Sequence, residues 1–139
     1  MKGKVSFDFD GTLSEDNVEE FAKQLINDGY EVWIVTSRPS DEDLTNTFQP
    51  WSKPNWNLDI WDTCERLNIP KEHVKFTNYV DKIEFLKDKG FIFHLDDDVD
   101  ELVEIMNDID EPCYPVNVNH SEWKKTCLDL LTDDADLKH

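Results

Sequence analysis

Val5-Ser6-Phe7-Asp8-Phe9-Asp10-Gly11-Thr12 is the stretch from which the fold of this chain is read. Val5 to Phe9 favours an extended backbone, and a strand there sends alternate side chains to opposite faces. Asp8 and Asp10 are then expected on one face, with Phe7 and Phe9 on the other. Gly11 lets the backbone turn sharply, and Thr12 adds a hydroxyl. Two carboxylates at the mouth of a buried strand repel each other and lose hydration. A shared proton or a hard cation with oxygen ligands relieves that cost, and Mg2+ suits a cluster this small.

Outward from this strand, apolar periodicities alternate between the two secondary structures. Val18, Phe21, Ala22, Leu25 and Ile26 keep helical spacing, and Gly29 stands where that helix should end. Glu31-Val32-Trp33-Ile34-Val35-Thr36 is a nearly continuous apolar run, as in a strand covered on both faces. A polar loop is expected from about Ser37 to Trp56, then a helix through Leu58, Trp61, Cys64 and Leu67 with Asn57 as its N-cap. His73 to Thr77 predicts a third strand, Lys82 to Lys89 a helix ending at Gly90, and Phe91 to Leu95 a fourth strand. Leu102, Val103, Ile105 and Met106 mark the next helix, and Tyr114 to Val118 a last strand that its proline sends to a sheet edge. A terminal helix is expected over about Ser121 to Leu131, followed by a solvated or frayed acidic end, Asp133-Asp134-Ala135-Asp136. Repeated βα units predict an α/β domain: a five-stranded parallel sheet with helices on both faces. Residues 1–132 form this single domain and 133–139 an acidic tail.

The formal net charge of -18 argues against a protein that holds nucleic acid by general electrostatic attraction. No apolar run approaches a membrane span, and the N-terminus lacks a signal-peptide pattern, so a cytoplasmic protein is expected. Cys64, Cys113 and Cys127 are scattered, odd in number and without metal-ligand spacing, as reduced and partly buried thiols would be.

Ligands of parallel sheets bind beyond the carboxyl ends of the strands, where the polar residues of this chain collect. The first strand end carries Asp8 and Asp10, the second Thr36, Ser37 and Arg38, and the fourth Asp96, Asp97 and Asp98; Lys82 opens the helix before the fourth. A carboxylate nucleophile, an acid/base carboxylate, phosphate-binding hydroxyls, a lysine and metal-binding aspartates make a phosphoryl-transfer set.

In these residues the chain resembles the haloacid dehalogenase-like (HAD) superfamily of phosphohydrolases, in a small capless form. Asp8-Phe9-Asp10-Gly11-Thr12 is similar to the first motif of that family, Thr36 to the second, Lys82 to the third, and Leu95-Asp96-Asp97 with Asp100 to the fourth. The resemblance implies a Rossmann-like fold with strand order 5-4-1-2-3. It implies a phosphomonoester hydrolase in which Asp8 attacks phosphorus and Asp10 protonates the leaving oxygen and later activates water. Thr36 would bind the phosphoryl group, with Gly11, Ser37 and Arg38 as further phosphate contacts, and Lys82 would neutralise charge. Mg2+ would be held by Asp8, the Asp10 carbonyl and Asp96, with Asp97 ligating through water or ordering the shell. An acid at Asp10 implies phosphatase or mutase chemistry rather than that of the transport ATPases or dehalogenases. There is no room for a cap between Thr12 and Val18, or between the third strand and Lys82.

The expected substrate is a nucleotide or another small phosphorylated metabolite. The alternative within enzymes is a phosphatase of nucleic-acid 3' or 5' ends, because Thr36-Ser37-Arg38 is similar to the second motif of polynucleotide 3'-phosphatases; the absence of a basic patch opposes it. The alternative outside enzymes is a non-catalytic, acidic, metal-binding interaction protein. The register among Asp96, Asp97 and Asp98 stays open, as does the choice between monomer and homo-oligomer. Oxygen-bearing residues from Asp8 through Asp10, Thr12, Ser14 and Asp16 to Glu19 imitate a calcium loop, but Leu13 occupies the position that needs Gly. His94 reads as a packed strand residue, and Phe48, Trp51 and Trp56 as aromatics that pack the long loop or stack on a base.

Overall fold

Nearly continuous burial along the central strands builds one sheet with two covered faces. The computed structural model describes residues 2–47, 56–108 and 113–137. Its strands are β1 (Lys4–Phe7), β2 (Glu31–Thr36), β3 (Val74–Phe76), β4 (Phe91–Asp96) and β5 (Tyr114–Asn117). Its helices are α1 (Asp16–Asn27), α2 (Asp41–Thr47), α3 (Leu58–Leu67), α4 (Ile83–Leu86), α5 (Val99–Met106) and α6 (Trp123–Leu137). All strand pairings are parallel, in the order β3-β2-β1-β4-β5, which is the expected order met from the other edge.

One face is sealed by α1, α3 and α6, whose Val18, Phe21, Leu25, Ile60, Leu67, Cys127 and Leu131 pack with Val5, Phe7, Ile34, Phe93 and Leu95. The other is sealed by α4 and α5, with Leu86 and Ile105 against Val35 and Phe91. The chain runs β1-β2-β3 toward one edge, then returns to place β4 on the far side of β1. The carboxyl ends of β1 and β4 therefore flank the point where the winding reverses, the natural crevice of an open parallel sheet. Among the described residues no helix is long and apolar enough to cross a membrane.

Four local expectations need correction. The stretch after Ser37 is not all loop, because Asp41–Thr47 is helical; residues 48–55, including Phe48 and Trp51, lie outside the described part. Asn57 makes no N-cap bond to α3, and its buried amide instead donates to Pro39 O and to Asp41. The helix expected over Lys82–Lys89 is a single turn, since Lys87 is extended (φ -64°, ψ 146°) and Asp88 is left-handed at φ 61°. The acidic end is not frayed through Leu137: α6 continues to that residue, with Cys127 and Leu131 anchoring its buried side while Asp133 and Asp136 face solvent.

Candidate functional site

β1 stops at Phe7, so the strand alternation expected of Asp8 and Asp10 does not reach Asp10. Asp8 still follows the alternation of Ser6 and turns inward at 5% exposure. Its N–H donates to Leu95 O, 2.9 Å away, which ties it to the end of β4. The chain then coils through Phe9–Leu13, where Asp10 is extended and Gly11 takes φ 75°. A side chain on Gly11 would both strain the backbone and collide with the Asp97 carboxylate. Asp10 is left on the rim with its side chain more than half exposed.

Lys82, at the start of α4, is the inward cation. Its side chain is 2% exposed, and the ammonium donates to Asp8 Oδ1 at 2.8 Å and to Asp96 Oδ2 at 2.6 Å. Its backbone N–H donates to Glu101 Oε2, which fixes the first turn of α4 against α5. Asp96, the last residue of β4, is fully buried and also accepts from Asp98 N–H at Oδ1. Behind it lies His94, fully buried, with Nε2 at 2.7 Å from Asp96 Oδ2 and Nδ1 at 2.7 Å from Ser6 Oγ. Thr12 Oγ1 donates to the other Asp8 oxygen at 3.4 Å. Ser6, His94, Asp96, Lys82, Asp8 and Thr12 thus form one continuous buried polar line.

The charges on this line are unequally placed. Burial, aided by the charge of Asp96 and opposed by Lys82, pushes the Asp8 carboxyl up to about 8. Burial also works against charge on Asp96, but the His94 bond and the Lys82 ammonium outweigh it and hold that carboxyl well below its usual range. Burial opposes the charge on Lys82 as well, yet Asp8 and Asp96 raise it above the ordinary lysine value. Burial lowers the pKa of His94, which favours the neutral ring.

Arg38 organises the rim. Its guanidinium makes a two-point ion pair with Asp10 (Nε to Oδ2 2.9 Å, NH2 to Oδ1 2.6 Å) and a second with Asp59 (2.9 and 3.0 Å). It also donates to Trp56 O at 3.1 Å and lies 5.3 Å from the centre of the Phe9 ring. The Arg38 bond lowers the pKa of Asp59. Thr36 is buried beside it and accepts from Arg38 N–H at 3.3 Å, while Ser37 O accepts from Tyr79 N–H.

Asp8, Asp96 and Asp97 each offer a carboxylate oxygen within 4.8 Å of one another. Three hard oxygen donors so close fit a hard divalent cation. Asp98 serves the backbone instead, and its side chain accepts from Asp100 and Glu101 N–H as the N-cap of α5. Asp8, Lys82, Asp96 and Asp97 therefore come together as the sequence indicates, while Asp10 and Arg38 stand beside them as a bonded pair.

Sequence reasoning passed over Ser6, Asp59 and Glu101 and treated His94 only as packing. The signal for His94 was present, because it lies two residues before Asp96 in one strand and so shares its face. Asp59 carried no local signal, since it meets Arg38 only through the fold. No protein-family model, no curated protein and no solved structure matches the chain.

Proposed function

We propose that this protein is a Mg2+-dependent phosphomonoester hydrolase that works through an aspartyl-phosphate on Asp8, in the manner of the HAD phosphohydrolases it resembles. The observation that carries the proposal is Lys82, a buried ammonium bonded to both Asp8 and Asp96 at the carboxyl ends of adjacent strands. Burying three ionisable groups is costly for a purely structural purpose, and such clusters concentrate where chemistry is done.

In the first half-reaction an oxygen of ionised Asp8 forms a bond to phosphorus as the ester oxygen leaves. Asp10, which takes a proton from solvent at its exposed position when it parts from Arg38, gives that oxygen the proton. In the second, water attacks phosphorus, Asp10 takes its proton, and the Asp8 carboxylate is released with inorganic phosphate. Thr36 and Lys82 hold the phosphoryl oxygens in both steps. Both Asp10 oxygens are bonded to Arg38 in the free chain, so one of these bonds gives way when Asp10 handles a proton. Asp8, Asp96, Asp97 and the Asp10 carbonyl would hold Mg2+, which would supply charge neutralisation to the reaction. The net charge of -18 favours a small ester, a nucleotide or a phosphorylated metabolite, over a nucleic-acid end.

The test is phosphate release from nucleotides, sugar phosphates and end-phosphorylated oligonucleotides, with and without Mg2+, for wild type and Asp8→Asn. Mg2+-dependent release by wild type, reduced at least about 1,000-fold in a folded Asp8→Asn, is expected. Release that persists in the variant would remove Asp8 as nucleophile. No release from any ester by folded, Mg2+-loaded protein would turn the interpretation toward a metal-binding interaction protein.

A further inference from the structure

We infer that His94, held from behind by Ser6, is a positioning residue that sets the Asp96 carboxylate for a divalent cation. The inference deepens the proposed site and rests on its metal reading. His94 touches none of the expected ligands except Asp96, and it does so from within the sheet.

The geometry determines where its proton sits. An ionised carboxylate only accepts, so the short contact to Asp96 Oδ2 places a proton on Nε2 of His94. In the neutral ring Nδ1 is then an acceptor, and the Ser6 hydroxyl donates to it. Ser6 pairs with His94 across β1 and β4, so the clamp is built into the strand register and needs no loop. Both side chains are fully buried, and water cannot substitute for either bond.

The effect on Asp96 follows from its oxygen inventory. Oδ2 takes two donors, Lys82 and His94, while among the described residues Oδ1 takes a single backbone donor, Asp98 N–H. Without His94, Oδ2 keeps only Lys82, and the carboxylate is held by one donor on each oxygen instead of three in all. With His94, the plane of the carboxylate is held, and the remaining acceptor capacity of Oδ1 is presented in one direction. Bonds of this kind to a metal-ligating carboxylate typically govern affinity by about 10–100-fold.

The experiment titrates the metal-free chain with MgCl2 by calorimetry and reads the dissociation constant, independent of any turnover. His94→Leu, which fills the space but donates nothing, is expected to weaken Mg2+ binding by about 10–100-fold. His94→Gln, which carries an amide N–H toward Asp96, is expected to recover most of that loss. Ser6→Ala removes one hydroxyl and is the companion variant should His94→Leu not fold; it is expected to weaken binding by at least about threefold. Nitrogen NMR of the wild-type imidazole is expected to find the proton on Nε2.

Folded variants that are less stable yet bind Mg2+ as wild type does would make His94 a packing residue and overturn the inference alone. A wild-type ring protonated only on Nδ1 would do the same. A wild type that binds no Mg2+ would overturn the metal reading first, and the role of His94 with it.

Discussion

Lys82 shows how one side chain can hold two others in an unfavourable place. Asp8 and Asp96 are both buried beside it, and each takes one of its N–H donors. Removing one partner from a buried charge cluster leaves the rest uncompensated, at a cost of about 3–5 kcal/mol. Lys82→Met, nearly equal in volume, is expected to lower unfolding free energy by about that amount in a urea titration. Added Mg2+ should restore part of the loss, because a cation that binds only the folded chain stabilises it by mass action. A change below about 1 kcal/mol would mean that the carboxylates find protons or water instead. The identity of this lysine was legible in the sequence only through its place before the fourth strand. Its bond to Asp8 spans 74 positions, and no local pattern encodes that.

At the scale of elements, α5 resolves a choice that the acidic run Asp96-Asp97-Asp98 had left open. A strand end, a loop residue and a helix cap follow one another, so three identical residues do three different things. Asp96 closes β4, Asp97 approaches Gly11, and Asp98 caps α5 with bonds to Asp100 and Glu101 N–H. Asp98→Ala removes that cap and is expected to destabilise the fold by about 1 kcal/mol. The same variant should keep the Mg2+ affinity of wild type, since its backbone N–H still reaches Asp96. Thermal unfolding and calorimetry on one sample check both halves; a large loss of affinity would make Asp98 a ligand. The short α4 was unreadable for a related reason: helical spacing through Lys89 says nothing about the left-handed Asp88 that stops it. α6 erred in the opposite direction, because exposed acidic residues continue a helix as readily as they fray from one.

The whole molecule carries far more negative than positive charge, 32 acidic side chains against 14 lysines and arginines. Self-repulsion of that excess works against the compact state and is screened by salt. Raising KCl from about 0.01 to about 0.15 M shortens the screening length from roughly 30 to roughly 8 Å. Tm is therefore expected to rise over this range by a few degrees, measured by circular dichroism without divalent ions. A falling Tm would mean that ion pairs such as Arg38–Asp59 and Arg66–Glu19 outweigh the net repulsion.

Periodicity carried the α/β class, most strand positions and the cluster of carboxylates at the strand ends, because alternation and helical spacing are properties of near neighbours. Phe7 and Asp8 face opposite ways in any strand, and Gly11 permits the turn wherever it stands. Tertiary structure alone decided who meets whom. Sheet order brought Asp8 beside Asp96, and strand register aligned Ser6 with His94 across 88 positions. The return of the chain after β2 set Asp59 against Arg38, which in turn holds Asp10 on the rim. Such partnerships follow from the packing of whole layers, and a residue's neighbours in sequence hold no record of them.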